Sequence, residues 1–251
     1  MVTYIGASND MGDVMETVCI SLGGSVISRK DGINAGYVGE LSKTLLSHGS
    51  RHKFVITVGG GFTCREYINS ARNIIRNDHL LDNVGIFATR LNAALVKNAF
   101  MDAGLDVHPV LIERLEEIES AISRSGIVVS GGMFEGITTD AVCTIAAEMV
   151  GSRTLVNISS SSHIYDRHPS IKGARMLKSM SYGRMARIAA KWDDRKPGSN
   201  FVFDIEACRI AKRSGIRIYF VGADVRELDN ILNGRPHDGT VVGGTTRPRK
   251  T

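Results

Sequence analysis

The chain is 251 residues long, 43% hydrophobic and 6% aromatic, with a formal net charge of +5 at neutral pH. A chain of this length buries roughly three quarters of its unfolded surface, enough for one substantial core without disulfide staples. No apolar run approaches the roughly 18 to 20 residues of a membrane span, and Cys19, Cys64, Cys143 and Cys208 are too scattered for a zinc site or a disulfide framework, so a soluble protein of the reducing cytoplasm is expected, with no membrane partner.

The first 14 residues carry no pattern and are expected to form a disordered extension. From there strands and helices alternate almost to the end, which predicts an α/β fold with a largely parallel central sheet and crossover helices. The first strand runs into CISLGGS at Cys19–Ser25, followed by a helix around Tyr37–Leu46. A strand at Phe54–Val58 enters VITVGGGFTCRE (Val55–Glu66), with a helix from Thr63 into Asn77. Val84–Phe100 reads as a further helix, with Ile86, Leu91, Ala94, Leu95 and Ala99 near helical spacing. A strand at Asp106–Leu111, a helix at Arg114–Ser123 and a strand at Ile127–Ser130 lead into the third glycine loop, IVVSGGMFEGITTDA (Ile127–Ala141).

Thr139 or Asp140 is expected to cap the next helix, and a strand at Thr154–Ser159 ends in four serines. Between residues 161 and 196 nine Lys or Arg stand against three Asp, so one segment holds the whole positive excess. Aromatic residues make up only 6% of the chain, so a stacking platform for single-stranded nucleic acid is not expected. Helices at Tyr182–Trp192, Asp204–Ser214 and Val225–Leu232, with strands at Ile216–Val221 and Thr240–Val242, complete the pattern. The division read from this order is an N-terminal lobe over 15–160 and a C-terminal lobe over 161–244 sharing one sheet, with a basic tail at 245–251.

Three strand–glycine–helix turns suit phosphate. Glycine lets backbone N–H groups approach an anion, and the helix that follows aims its unpaired N–H groups and positive dipole end at the same place. No GK dipeptide occurs, which excludes a Walker-type loop, and no GxGxxG follows the first strand.

The ordered set GGS, GGGxxxR, DxxGIxATRLNA, GGxxxGxTTDAV, a late FD before a helix and a final DGT strand resembles the amino acid kinase superfamily, and within it the archaeal type of uridylate kinase, over about residues 17–242. The resemblance implies a three-layer α/β/α sandwich, a homohexamer, and transfer of the γ-phosphate of ATP to UMP with Mg2+. It implies ATP contacts at Gly24, Ser25, Gly61, Arg65, Ser159, Ser160, Tyr165 and His168. It implies UMP contacts at Gly60, Asp82 and the loop Met133, Phe134, Glu135, Gly136, Ile137, Thr138 and Thr139, with Asp82 on the ribose and Gly60 on the phosphate. Arg65, Asp204 and Arg209 are the expected catalytic residues, Asp204 also lying near magnesium. Because the acceptor is an ionised phosphate oxygen, no general base is required, and the seven histidines are expected to be structural or exposed. The alternatives are a protein of the same fold that binds nucleotides or anions without transferring phosphate, and a kinase for another small acid.

Overall fold

A computed structural model of the protein describes residues 15–161, 163–167, 171–192 and 203–243. In chain order its elements are β1 (Glu16–Leu22), α1 (Gly24–Ile27), the hairpin β2 (Ser28–Arg29) and β3 (Gly32–Ile33), α2 (Ala35–His48), β4 (His52–Val58), α3 (Gly61–Ala71) and α4 (Asp78–Asp102). A short 3-10 turn at Leu115–Glu117 leads into α5 (Ile118–Arg124), then β5 (Ile127–Ser130), α6 (Thr139–Met149) and β6 (Thr154–Ile158). The small strands β7 (Ile164–Tyr165), β8 (Met176–Leu177) and β9 (Ser179–Met180) precede α7 (Tyr182–Trp192), α8 (Ile205–Ser214), β10 (Arg217–Val221), α9 (Val225–Leu232) and β11 (Gly239–Val242).

Seven strands form one sheet in the order β5-β4-β1-β6-β10-β11-β9. All neighbours are parallel except β10 and β11. Strands buried on both faces read as near-continuous apolar runs, as Val18–Leu22 of β1 and Phe54–Val58 of β4 do, interrupted only by Ser21 and Thr57. Their alternate side chains feed two cores. On one face Val18, Ile20 and Leu22 meet Val38, Leu41 and Leu45 of α2, Val96 and Phe100 of α4, and Leu228 of α9. On the other, Cys19, Val55 and Leu155 meet Val142 and Ala146 of α6, Ala207 and Ala211 of α8, and Ile118 and Ala121 of α5. The result is helix, sheet and helix in three layers.

The expected strand at Asp106–Leu111 is not formed. That segment touches the sheet edge at two isolated bridges, Val107 to Ile127 and Ile112 to Ser130. His108 N–H donates to Ile127 O at 2.8 Å and Ile112 N–H to Val129 O at 3.0 Å. Between those points stands Pro109, which has no N–H for a ladder bond. The helix expected over Val84–Phe100 starts earlier, because Asn77 accepts a hydrogen bond from His79 N at 2.9 Å and caps it. The expected terminal segments, 1–14 and 245–251, lie outside the described residues.

Candidate active site

The carboxyl ends of β1, β4, β5 and β6 lie side by side, and each strand runs on into a loop of small residues. From β1 the chain moves outward through β4 to β5, then returns on β1's other side as β6. The strand order reverses there, which is where open α/β sheets form ligand crevices. Gly23 N–H donates to Ile158 O at 2.8 Å and Gly59 N–H to Leu22 O at 2.9 Å, so the loops leave the sheet tied to one another.

The first two loops touch backbone to backbone. A Cβ on Gly24 would lie 2.1 Å from Gly61 N, and one on Gly61 would lie 2.2 Å from Gly24 O. Gly61 also has φ +59°, so glycine is required there twice over. Gly60 is the N-cap of α3 and Gly61 its first residue. Arg65 follows one turn in, half-buried, and makes no ion pair or side-chain hydrogen bond among the described residues. Ser25 is half-buried in α1 beside the same contact.

One helix fastens the second and third loops. On α4, the Asn92 side-chain amide donates to Gly59 O and Gly60 O, each at 2.9 Å. One turn earlier the Thr89 hydroxyl accepts Gly132 N–H at 2.6 Å and donates to Ile86 O. Arg90 Nε donates to Gly132 O at 3.2 Å, and its guanidinium pairs with Glu113 at 2.8 Å. Nearer the start of α4, Asp82 Oδ2 accepts Gly136 N–H at 2.8 Å, and Asn83 donates to Glu135 Oε1 at 2.9 Å. That bond from Asn83 holds the Glu135 carboxyl below the usual carboxylate range. Met133 packs into the core, Ile137 lies against it, and Phe134 is 43% exposed.

A polar set lies beneath the loops. Asp140 Oδ1 accepts the Ser21 hydroxyl at 2.6 Å and the Asn157 amide at 2.8 Å. Burial, followed by the like charge of Asp204 and against the two hydrogen bonds, pushes the Asp140 carboxyl up to about 6. Asp204, 3% exposed, caps α8: its Oδ1 accepts Glu206 N–H at 2.7 Å and Ala207 N–H at 3.2 Å, while Oδ2 accepts the Thr138 hydroxyl at 3.0 Å. Thr138 in turn caps α6 by accepting Ala141 N–H, so neither Thr139 nor Asp140 is the cap. Freed from that role, Asp140 joins β1 to β6 at their loop ends. Asp140, Ser21, Asn157, Thr89 and Asn92 form no part of the sequence-derived site. Asp140 stands inside the TTDAV motif and Asn92 inside RLNA, and that placement was the available signal.

Beyond β6, Ser159 N–H donates to Val221 O at 3.0 Å and its hydroxyl to Ser161 O at 2.8 Å, with Ser160 exposed beside it. His163 is buried, 3.2 Å from Asp238, and Lys178 approaches the same carboxylate at 2.5 Å. Tyr165 lies half-buried in β7. His168 falls outside the described residues. Arg209 is exposed on α8 and pairs with Glu206; among the described residues it makes no hydrogen bond to a glycine loop.

The amino acid kinase family model matches residues 16–222, a span that takes in all three glycine loops. The chain belongs to the amino acid kinase family. It is 37% identical over 222 residues to a uridylate kinase of Thermoplasma volcanium, covering 88% of this chain and 95% of that one. To a uridylate kinase of Methanopyrus kandleri it is 34% identical over 229 residues, covering 90% and 98%. Among solved structures, that of uridylate kinase from Archaeoglobus fulgidus superposes with a TM-score of 0.78 at 30% identity, over 91% of this chain and 100% of that one. UMP kinase from Ureaplasma parvum shares the fold, with a TM-score of 0.74 at 18% identity.

Proposed function

We propose that this chain is a uridylate kinase, transferring the γ-phosphate of ATP to UMP to give UDP and ADP. The observation that carries the reading is the convergence of the glycine loops after β1, β4 and β5 around α3 and α4, with Arg65 one turn into α3 making no ion pair among the described residues, in a chain whose relatives along nearly their whole length are uridylate kinases. Backbone N–H groups at the start of α3 and the Arg65 guanidinium supply positive potential for two phosphorylated ligands held end to end. An ionised UMP phosphate oxygen attacks the γ-phosphorus; the P–O bond to UMP forms as the bond to ADP breaks. Orientation and charge neutralisation supply the rate, with no proton to remove from the acceptor.

The donor set fits magnesium carried in by the nucleotide. No group of three or more His, Cys, Asp or Glu arranged for a metal occurs among the described residues. Mg2+, though, takes hard oxygen donors and is commonly held by one or two carboxylates together with substrate phosphates, and the carboxylates that would hold it here are Asp204, whose oxygens also cap α8 and accept the Thr138 hydroxyl, and Asp140 beside it. The ion would offset charge on the transferring phosphoryl group.

On α4 the exposed side chains Leu80, Phe87 and Leu91 lie on one stripe, at 52%, 61% and 62% exposure. We assign that stripe to a second copy of the chain within a homohexamer. No helix among the described residues is long and apolar enough to cross a membrane, and the four cysteines are free thiols, which suits action in a reducing cytoplasm.

A coupled assay of nucleoside diphosphate formation from ATP with UMP, CMP, AMP and carbamate tests the reading. UMP is expected to be preferred; equal rates with every acceptor, or none with UMP, would discard it. One observation favours a second reading, nucleotide binding without transfer: the cation expected at Arg209 is engaged with Glu206 at the exposed surface. ATP bound tightly with no UDP formed would select that reading.

A further inference from the structure

Asn92 is 2% exposed, and both carbonyls it engages, Gly59 O and Gly60 O, belong to the loop between β4 and α3. In a planar trans peptide the C=O of one residue and the N–H of the next point in opposite directions. Fixing the Gly59 and Gly60 carbonyls toward α4 therefore turns the N–H groups of Gly60 and Gly61 away from it. Neither N–H donates to another backbone group among the described residues. Both stand at the N-terminus of α3, where the helix leaves its first N–H groups unsatisfied.

Both protons of the Asn92 amide are spent on these two carbonyls, so no other rotation of that side chain satisfies the pair. Glycine at 60 and 61 carries no side chain to select a peptide orientation, so beyond the close contact of Gly61 with Gly24 it is the Asn92 amide that fixes these planes.

We propose that Asn92 is a positioning residue: by gripping the Gly59 and Gly60 carbonyls it aims the Gly60 and Gly61 amides at the phosphate of the acceptor. The inference rests on the uridylate kinase reading for the identity of that phosphate, but not for the geometry. Its role differs from a structural one because it acts on phosphate alone. Burial of Asn92 against the loop supports the fold whatever is bound, whereas amide direction matters only to a ligand carrying an anion.

The test compares UMP with uridine, which lacks the phosphate, by calorimetric titration of the full chain. In the parent the affinity ratio of UMP to uridine measures what the phosphate contributes. In Asn92→Asp, isosteric but without donors at neutral pH, the ratio is expected to shrink at least tenfold while the uridine affinity moves less than threefold. Asn92→Leu is expected to repeat the loss without adding charge, and Asn92→Gln, which keeps both donors on a longer arm, to recover part of it. An unchanged ratio in a folded Asn92→Asp or Asn92→Leu protein overturns the proposal.

Should those variants fail to fold, the parent decides the matter. With 15N-glycine labelling, the Gly60 and Gly61 amide resonances are expected to move more on adding UMP than on adding uridine, and resonances that do not respond to UMP also overturn it. Turnover of ATP and UMP by the parent is measured in the same series. Absence of UDP with the amide response intact defeats the kinase reading and leaves the role of Asn92 standing.

Discussion

Arg65 and Asp140 show how far single residues determine this site. Arg65 is half-buried beside the first two glycine loops and pairs with no acid among the described residues, so its charge is available to a ligand. Arg65→Ala is expected to lower kcat/KM for UDP formation at least about a hundredfold, with the thermal midpoint nearly unchanged; a variant with parental turnover would remove Arg65 from the site. Asp140 carries a different signature. Its carboxyl has an ordinary value of 3.8 in the unfolded chain and is pushed up to about 6 in the fold by burial. The native state therefore binds this proton more tightly, and the contribution of Asp140 to stability falls as pH rises from about 4 to about 6, then levels off. Asp140→Asn keeps an acceptor for Ser21 and Asn157 and escapes that loss. Its urea midpoint is expected to gain on the parent's between pH 4 and pH 6 and to hold the gain at pH 7.5. A difference that is flat over this interval would mean that burial does not perturb the group.

At the scale of elements, the glycine loops work by mutual exclusion. Each of Gly24 and Gly61 occupies the space that a side chain on the other would need, with backbone rather than flexible atoms in the way. Gly24→Ala is therefore expected to cost about 1–3 kcal/mol of stability, as overpacking does, and to separate α1 from α3; chemical denaturation reads the first effect and UMP affinity the second. The sequence announced these loops because strand, glycine cluster and helix follow one another locally. It did not announce α4 as their anchor, since Thr89 and Asn92 look like ordinary polar positions until the helix is laid across residues distant in the chain. The same limit explains Asp140, whose partners Ser21 and Asn157 come from strands far apart in sequence. Asp106–Leu111 failed for the opposite reason: its composition suits a strand, but Pro109 breaks the ladder.

For the whole molecule, alternation of strands and helices was sufficient to give the layers and the parallel sheet, while the order of strands within it was not written in any local pattern. Pairing of β1 with both β4 and β6 brings together segments far apart in the chain. Assembly beyond one chain is expected to use the α4 stripe. Leu91→Glu, at a position 62% exposed, is expected to reduce the oligomer measured by light scattering while leaving the monomer's circular dichroism intact; an unaltered mass would place the subunit contact elsewhere.

The place of β1 in the sheet also bears on how the protein is made. Val18 pairs with Phe54 on one side and with Thr154 on the other. As the nascent chain leaves the ribosome, β1 acquires its first neighbour early, but its second edge stays open until the segment ending at Ile158 has emerged. An unpaired edge invites association with other chains, and late, non-local pairing slows folding. The ligand crevice sits at that same seam, so a truncated translation product ending before β6 should be both unable to close it and prone to aggregate.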